Sequence, residues 1–220
     1  MESARQEPSG GHGTGSGRRE EILDAALAIA DELGLTAVTM RAVAGRVGVT
    51  AMALYPHVRS KEDLLDGLVG RVLGELELPD PAVGWRDRLR VLALSARGVA
   101  RRHAAVVPLL FARPAVTPDA VRVVDAIYLA LLDAGVPPDH VARFERMFST
   151  FVLGFAVSEA SGRFSAGTLG TRERRGQLPE GELPGHHKLA TWLDAPWSRD
   201  AEFEADLDDL GRLIESAARP

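Results

Sequence analysis

Cysteine is absent from the 220 residues, which excludes a disulfide framework and thiolate chemistry. No apolar run reaches the roughly 18 residues a membrane-spanning helix needs. The opening MESARQEPSGGHGTGSG has no apolar core of the kind a signal peptide carries. No membrane association and a cytoplasmic location are therefore expected. Positive charge is not in excess either. The net charge is -5, so any binding of nucleic acid has to rest on a local basic patch. Catalytic signatures are missing: there is no Gly-x-Ser-x-Gly, His-Glu-x-x-His or P-loop element. The segment GHGTGSG has no preceding strand and no βαβ context, so it is not read as a nucleotide loop. His186 and His187 are neighbours, and neighbours on a helix point about 100° apart, a poor chelating pair. No metal site, no cofactor and no enzymatic activity are expected.

Helical periodicity is what the chain does have. Residues 1–17, small and polar, read as a disordered tail. From Arg18, the residues Ile22, Ala26, Ile29 and Leu33 form one apolar face, and Gly34 stops the helix. Thr39 is a candidate N-cap for a helix that ends at Gly48, and Thr50 for a very short one that follows. Pro56 disfavours the α conformation at Tyr55 and is expected to end that short helix. Ser60 with Asp63 reads as a capping box opening another helix. Further helices are expected over Trp85–His103, Thr117 to about Ala134, Pro137 to about Gly162, and about Asp200–Ala217. Pro108 and Pro114 limit a short piece, and 164–185 reads as a long mobile loop. His103 and His140 read as helix-end residues, and Asp208–Asp209 as solvated. The expected fold class is all-α, with a three-helix helix-turn-helix domain over 18–65 and a larger helical domain over 66–220.

The pair of short helices over 39–55 explains the stretch GVTAMALYPHVRSKEDLL. A helix this short is held by packing, not by its own propensity. Val43, Val47, Val49 and Leu54 are apolar where the helices would face each other, and Ala44 is small where they would cross. The second helix of a helix-turn-helix has to enter a DNA major groove about 12 Å wide, which suits small residues and slim aromatics. Between Thr39 and Lys61 the charged residues are Arg41, Arg46, Arg59 and Lys61, with no acid among them. Two readings remain open on pattern alone: a DNA-reading head, or a three-helix piece of ordinary core with a solvated charged face.

The residues VTMRAVAGRVGVTAMALYPHVRSKEDLL resemble the signature of the TetR family of bacterial transcriptional regulators. The matching elements are Thr39–Met40–Arg41, Gly48–Val49, Leu54–Tyr55–Pro56–His57 and Lys61–Leu64–Leu65. FVLGFAVSEASG, Phe151 to Gly162, is similar to the tetracycline-repressor-type C-terminal domain. The resemblance implies a repressor that binds a palindromic operator on double-stranded DNA as a homodimer. It implies that Thr39 and Arg41 touch phosphate or the groove edge, and that Thr50, Ala51 and Met52 face the bases. Ala51 and Met52 offer only apolar contacts, for example to thymine methyl groups. Tyr55, His57 and Lys61 are implied at the DNA backbone, Lys61 at the positive end of its helix.

The resemblance also implies a small-molecule effector pocket and dimerisation within 66–220. Candidate pocket residues are Trp85, Leu89, Leu92, Leu110, Phe111, Arg113, Phe144, Met147 and Phe151. Glu77, Leu92, Leu110 and Arg113 stand near the places where tetracycline-binding members use other polar residues, which favours a largely apolar effector with an acidic group meeting Arg113. Two stripes fit a four-helix bundle made by two protomers. One is Thr150, Gly154, Ser158 and Gly162, the other Phe203, Leu207, Leu210 and Ile214. Effector binding is expected to move the helix opened at Ser60 and so separate the two reading heads. The alternative is a helical small-molecule-binding protein without DNA binding.

Overall fold

The computed structural model describes residues 14–113, 116–164 and 171–218. The tail residues 1–13, the expected break at Pro114 and the loop residues 165–170 lie outside them. Among the described residues the regular elements are all helical. They are α1 (Thr14–Leu33), α2 (Met40–Val47), α3 (Lys61–Leu73), α4 (Trp85–Arg102), α5 (Leu109–Ala112) and α6 (Pro118–Asp133), then α7 (Pro138–Ala160), α8 (Thr171–Arg175), α9 (Pro184–Lys188), α10 (Ala190–Leu193) and α11 (Arg199–Ala218). Short 3₁₀ turns lie at Leu35–Ala37, Ala51–Leu54 and Glu180–Glu182.

Caps account for several of the boundaries. The Thr39 hydroxyl accepts the Ala42 N–H at 3.1 Å, and the Ser60 hydroxyl accepts the Asp63 N–H at 3.2 Å. The expected capping box is displaced by one residue, because the Asp63 carboxylate takes the Arg59 N–H at 2.8 Å. Thr50 supplies no side-chain cap to the turn after it. Residues 14–17, expected in the tail, already belong to α1. The expected loop at 164–185 contains α8, a 3₁₀ turn and the start of α9, and Arg175 of α8 pairs with Asp194 just after α10.

The chain divides into two compact units, one running to Leu78 and resuming over Gly98–Asp125, the other comprising Pro79–Arg97 and Ala126–Pro220. The expected boundary after residue 65 therefore shifts, and the reason is a shared core. Val99, Val106 and Leu109 pack in one cluster with Ile22, Ala26, Val43, Leu54, Val58, Leu64 and Leu68. His103 belongs to the same unit and is more than a helix end. Its ring is 9% exposed, with Nδ1 2.8 Å from Asp31 of α1 and Nε2 3.1 Å from Glu75 just beyond α3.

The second unit is organised around aromatics and one buried arginine. Phe203 of α11 stacks on Phe151 of α7 at 5.9 Å and meets Phe155 at 4.7 Å between ring centroids. Phe203 is fully buried and Ile214 is 2% exposed, so both belong to the protomer's own core. These two side chains of the α11 stripe are therefore packed within the chain, while Leu207 and Leu210 remain half-buried. Gly162, exposed just beyond α7, donates its N–H to the Glu159 carbonyl at 3.1 Å.

Candidate nucleic-acid interface

Gly48 sets the angle between α2 and the 3₁₀ turn. Its φ of 79° is left-handed, while a Cβ built there would meet no atom within 4 Å. The backbone conformation, not crowding, asks for glycine at this position. The Val49 N–H then closes on the Ala44 carbonyl at 2.9 Å. Beneath the turn, Val43, Leu54 and Val58 are fully buried and Ala44 is 2% exposed, as the apolar pattern requires. Tyr55 departs from expectation. It stays α-helical (φ -59°, ψ -30°) in spite of Pro56. The N–H groups of His57 and Val58 both reach the Leu54 carbonyl, at 2.8 and 2.9 Å. Burial of Leu54 and Val58 on either side pins that turn and outweighs the local preference.

This scaffold presents a row of side chains to solvent. Thr39, Arg41, Thr50, Met52, Tyr55, Arg59 and Lys61 are exposed, and His57 is half-buried. Met52 is 75% exposed, unusual for so apolar a side chain. Ala51 turns partly into the core, which leaves Met52 as the exposed apolar side chain at the tip. The basic patch is smaller than the sequence indicates. Arg46 makes a two-pronged pair with Glu32 of α1, one contact at 2.8 Å, and Glu32 is held below the usual carboxylate range by that hydrogen bond. Arg41, Arg59 and Lys61 have no side-chain ion pair among the described residues.

Sequence reasoning missed Arg19. Its guanidinium donates to the His57 carbonyl at 2.6 Å and to Asp63 Oδ1 at 2.8 Å. Burial raises the Asp63 carboxyl, but the Arg19 hydrogen bond, the Arg59 N–H and both positive charges bring it below its ordinary value. Glu75 behaves alike: burial raises it, and its hydrogen bonds to Arg102 and His103 bring it down. Carboxyls depressed in the folded state stabilise it above their unfolded values, about pH 4, and that stabilisation is lost as pH falls through the folded values. A double variant, Asp63→Asn with Glu75→Gln, should be less stable than the parent at neutral pH and lose less on acidification. Urea unfolding followed from about pH 7 down to about pH 2 measures both slopes. Parallel pH profiles would contradict the assignment.

The pocket candidates divide between the two units. Leu110, Phe111 and Arg113 fall in the first unit, where Leu110 packs on the core, Phe111 is half exposed, and Arg113 donates to Asp66 at 2.5 Å and to the Glu62 carbonyl at 3.1 Å. The guanidinium expected to meet an acidic effector is thus already engaged. In the second unit, Trp85 and Leu89 line a cleft with Phe148, Leu207, Leu210 and Ile214. Leu92 and Phe144 are buried in the core. Met147 and Phe151 border an open hollow with Arg143, Arg146, Thr150 and Leu210. Gly154 and Ser158 are half-buried on α7. Among the described residues no group of His, Asp and Glu is placed to hold a metal ion, and no helix is long and apolar enough to cross a membrane.

A Gly-centred turn between two short helices, an exposed apolar and aromatic tip and flanking cations define a helix-turn-helix DNA-binding protein. Residues 22–68 match the bacterial regulatory proteins of the tetR family, and residues 78–208 the tetracyclin repressor-like C-terminal domain. An HTH-type transcriptional regulator of Saccharopolyspora erythraea is 30% identical over 76% of this chain and 72% of its own length. The class A tetracycline repressor of transposon 1721 from Escherichia coli is 31% identical over 84% of this chain and 85% of its own. The crystal structure of ActR from Streptomyces coelicolor with actinorhodin superposes with a TM-score of 0.80 at 25% identity, covering 92% of this chain and 98% of that one. The chain belongs to the TetR family of bacterial transcriptional regulators.

Proposed function

We propose that the protein represses transcription by binding a palindromic operator as a homodimer, and that a small, largely apolar effector releases it. The observation that carries this reading is the exposed row from Thr50 to Lys61 over a fully buried Leu54–Val58 step. The fold leaves Met52 75% and Tyr55 46% exposed beside three unpaired cations, an arrangement suited to a groove and its phosphates. Such a head acts on DNA in the cytoplasm. Paired half-sites one helical turn apart call for two heads, hence for a dimer.

Support for the dimer comes from the outer faces of α7 and α11. Met147, Thr150 and Leu210 border an open hollow, and Leu213 is 43% exposed. These side chains, with Gly154, Ser158, Gly162 and Leu207, take the interface role that the buried Phe203 and Ile214 do not. Support for an apolar effector comes from the aromatic content of the second unit and from ActR, solved with the ligand actinorhodin. The pair between Arg113 and α3 supplies a handle by which displacement of α5 would reach the reading head.

Selection of bound duplexes from a random pool at two salt concentrations tests this. The expected result is an enriched palindrome whose affinity falls steeply with salt. Weak binding without enrichment would favour the reading as a small-molecule-binding protein without DNA binding.

A further inference from the structure

We infer that Arg19 and Asp63 are positioning residues for DNA reading, and that Asp63 is an acid whose presence strengthens operator binding. The inference rests on the proposal that the Tyr55–Lys61 segment meets phosphate. That segment has little regular structure of its own between Leu54 and Lys61. It is tied down instead by a four-part network. Arg19 NH1 holds the His57 carbonyl at 2.6 Å, and Arg19 NH2 holds Asp63 Oδ1 at 2.8 Å. Asp63 Oδ2 holds the Arg59 N–H at 2.8 Å, and the Asp63 N–H is capped by Ser60 at 3.2 Å. The backbone between His57 and Ser60 is thereby fixed from α1 and from the first turn of α3, and His57 and Arg59, with Lys61 just after, depend on it for their direction.

Gly67 supports the same arrangement one turn further along α3. A Cβ there would lie 2.4 Å from the Leu23 side chain and 3.4 Å from Arg19 NH2. Glycine inside a helix costs about 1 kcal/mol relative to alanine, and here it leaves room for α1 to bring Arg19 close. The Arg19 and Asp63 side chains are 36% and 29% exposed. An ion pair so accessible contributes little to stability, so its main effect falls on geometry.

Electrostatics alone gives the opposite sign for Asp63. Removing a carboxylate beside the phosphate-binding cations should tighten binding to a polyanion. Asparagine keeps the shape but offers one acceptor oxygen where two donors point. If Asp63 positions the turn, Asp63→Asn weakens operator binding by about tenfold, with the dependence on salt unchanged. The experiment measures affinity for the selected duplex across salt concentrations, well below the unfolding temperature. The variants are Asp63→Asn, Arg19→Lys, Arg19→Gln and, as control, Lys61→Gln. Arg19→Lys keeps the charge but cannot bridge both acceptors as a planar fork does, so it should fall between the parent and Arg19→Gln. Unchanged or tighter binding by Asp63→Asn overturns the inference. So does a drop of about one charge in the salt slope of Arg19→Gln, which would make Arg19 a direct phosphate ligand. A control Lys61→Gln with parental affinity and slope would instead overturn the underlying reading of the segment.

Discussion

Replacing Arg97 with alanine is expected to destabilise the second unit by about 3–5 kcal/mol, the range for breaking a buried ion pair from one side. The Arg97 and Glu159 side chains are 5% and 7% exposed, and two parallel hydrogen bonds of 2.8 Å join them. Asp200 adds a third link at 2.8 Å, and the guanidinium lies 5.1 and 4.8 Å from the ring centroids of Phe155 and Phe203. One cation therefore joins α4, α7 and α11. Without it, the buried Glu159 carboxylate loses the two parallel hydrogen bonds that Arg97 gives it, and the aromatic rings lose the flat group that covers them. Arg97→Met combined with Glu159→Leu should recover most of the loss, because two apolar groups of similar size need no desolvated charge. Denaturant unfolding decides the matter. A single substitution that costs less than about 1 kcal/mol would mean that the pair is open to solvent and screened.

That cluster also marks where the sequence could and could not be read. Local signals survived: the Thr39 and Ser60 caps, the stop at Gly48 and, Leu33 apart at 67% exposed, the apolar faces of α1 and α2 all follow from residues within a turn or two of each other. So did the exposed tip, since Thr50, Met52 and Tyr55 flank a Leu54 that had to be buried. What failed depended on partners far along the chain. The Arg97 and Glu159 pair spans 62 residues, Arg46 and Glu32 span 14, and Arg19 and Asp63 span 44. No periodicity reveals such pairs. The Phe203 stripe was legible as apolar, but an apolar helix face looks the same whether it packs on its own chain or on a partner. The packing of Leu110 and Arg113 was equally illegible, because neither carries a sequence mark of belonging with α3.

The triple variant Arg41→Gln, Arg59→Gln, Lys61→Gln is expected to lower operator affinity by about a hundredfold at physiological salt. This takes about 1 kcal/mol for each cation withdrawn from a phosphate. The slope of log affinity against log salt should shrink by about 0.9 per phosphate left unneutralised, which separates missing charge from impaired folding. Arg46→Gln is the informative comparison. Counted along the sequence it is one of four cations in the window, yet its guanidinium is committed to Glu32. Its removal should leave the slope nearly unchanged, since a guanidinium held by Glu32 neutralises no phosphate. If Arg46→Gln alters the slope as strongly as Lys61→Gln, the pair must open on binding, and Glu32 of α1 would then compete with phosphate for Arg46. Met52→Ala, measured on the same duplex, should leave the slope intact and weaken preference at one base pair. An apolar side chain contributes to discrimination through a thymine methyl group and not through charge. Those two outcomes together would assign overall affinity to charge and sequence preference to the apolar tip at Met52.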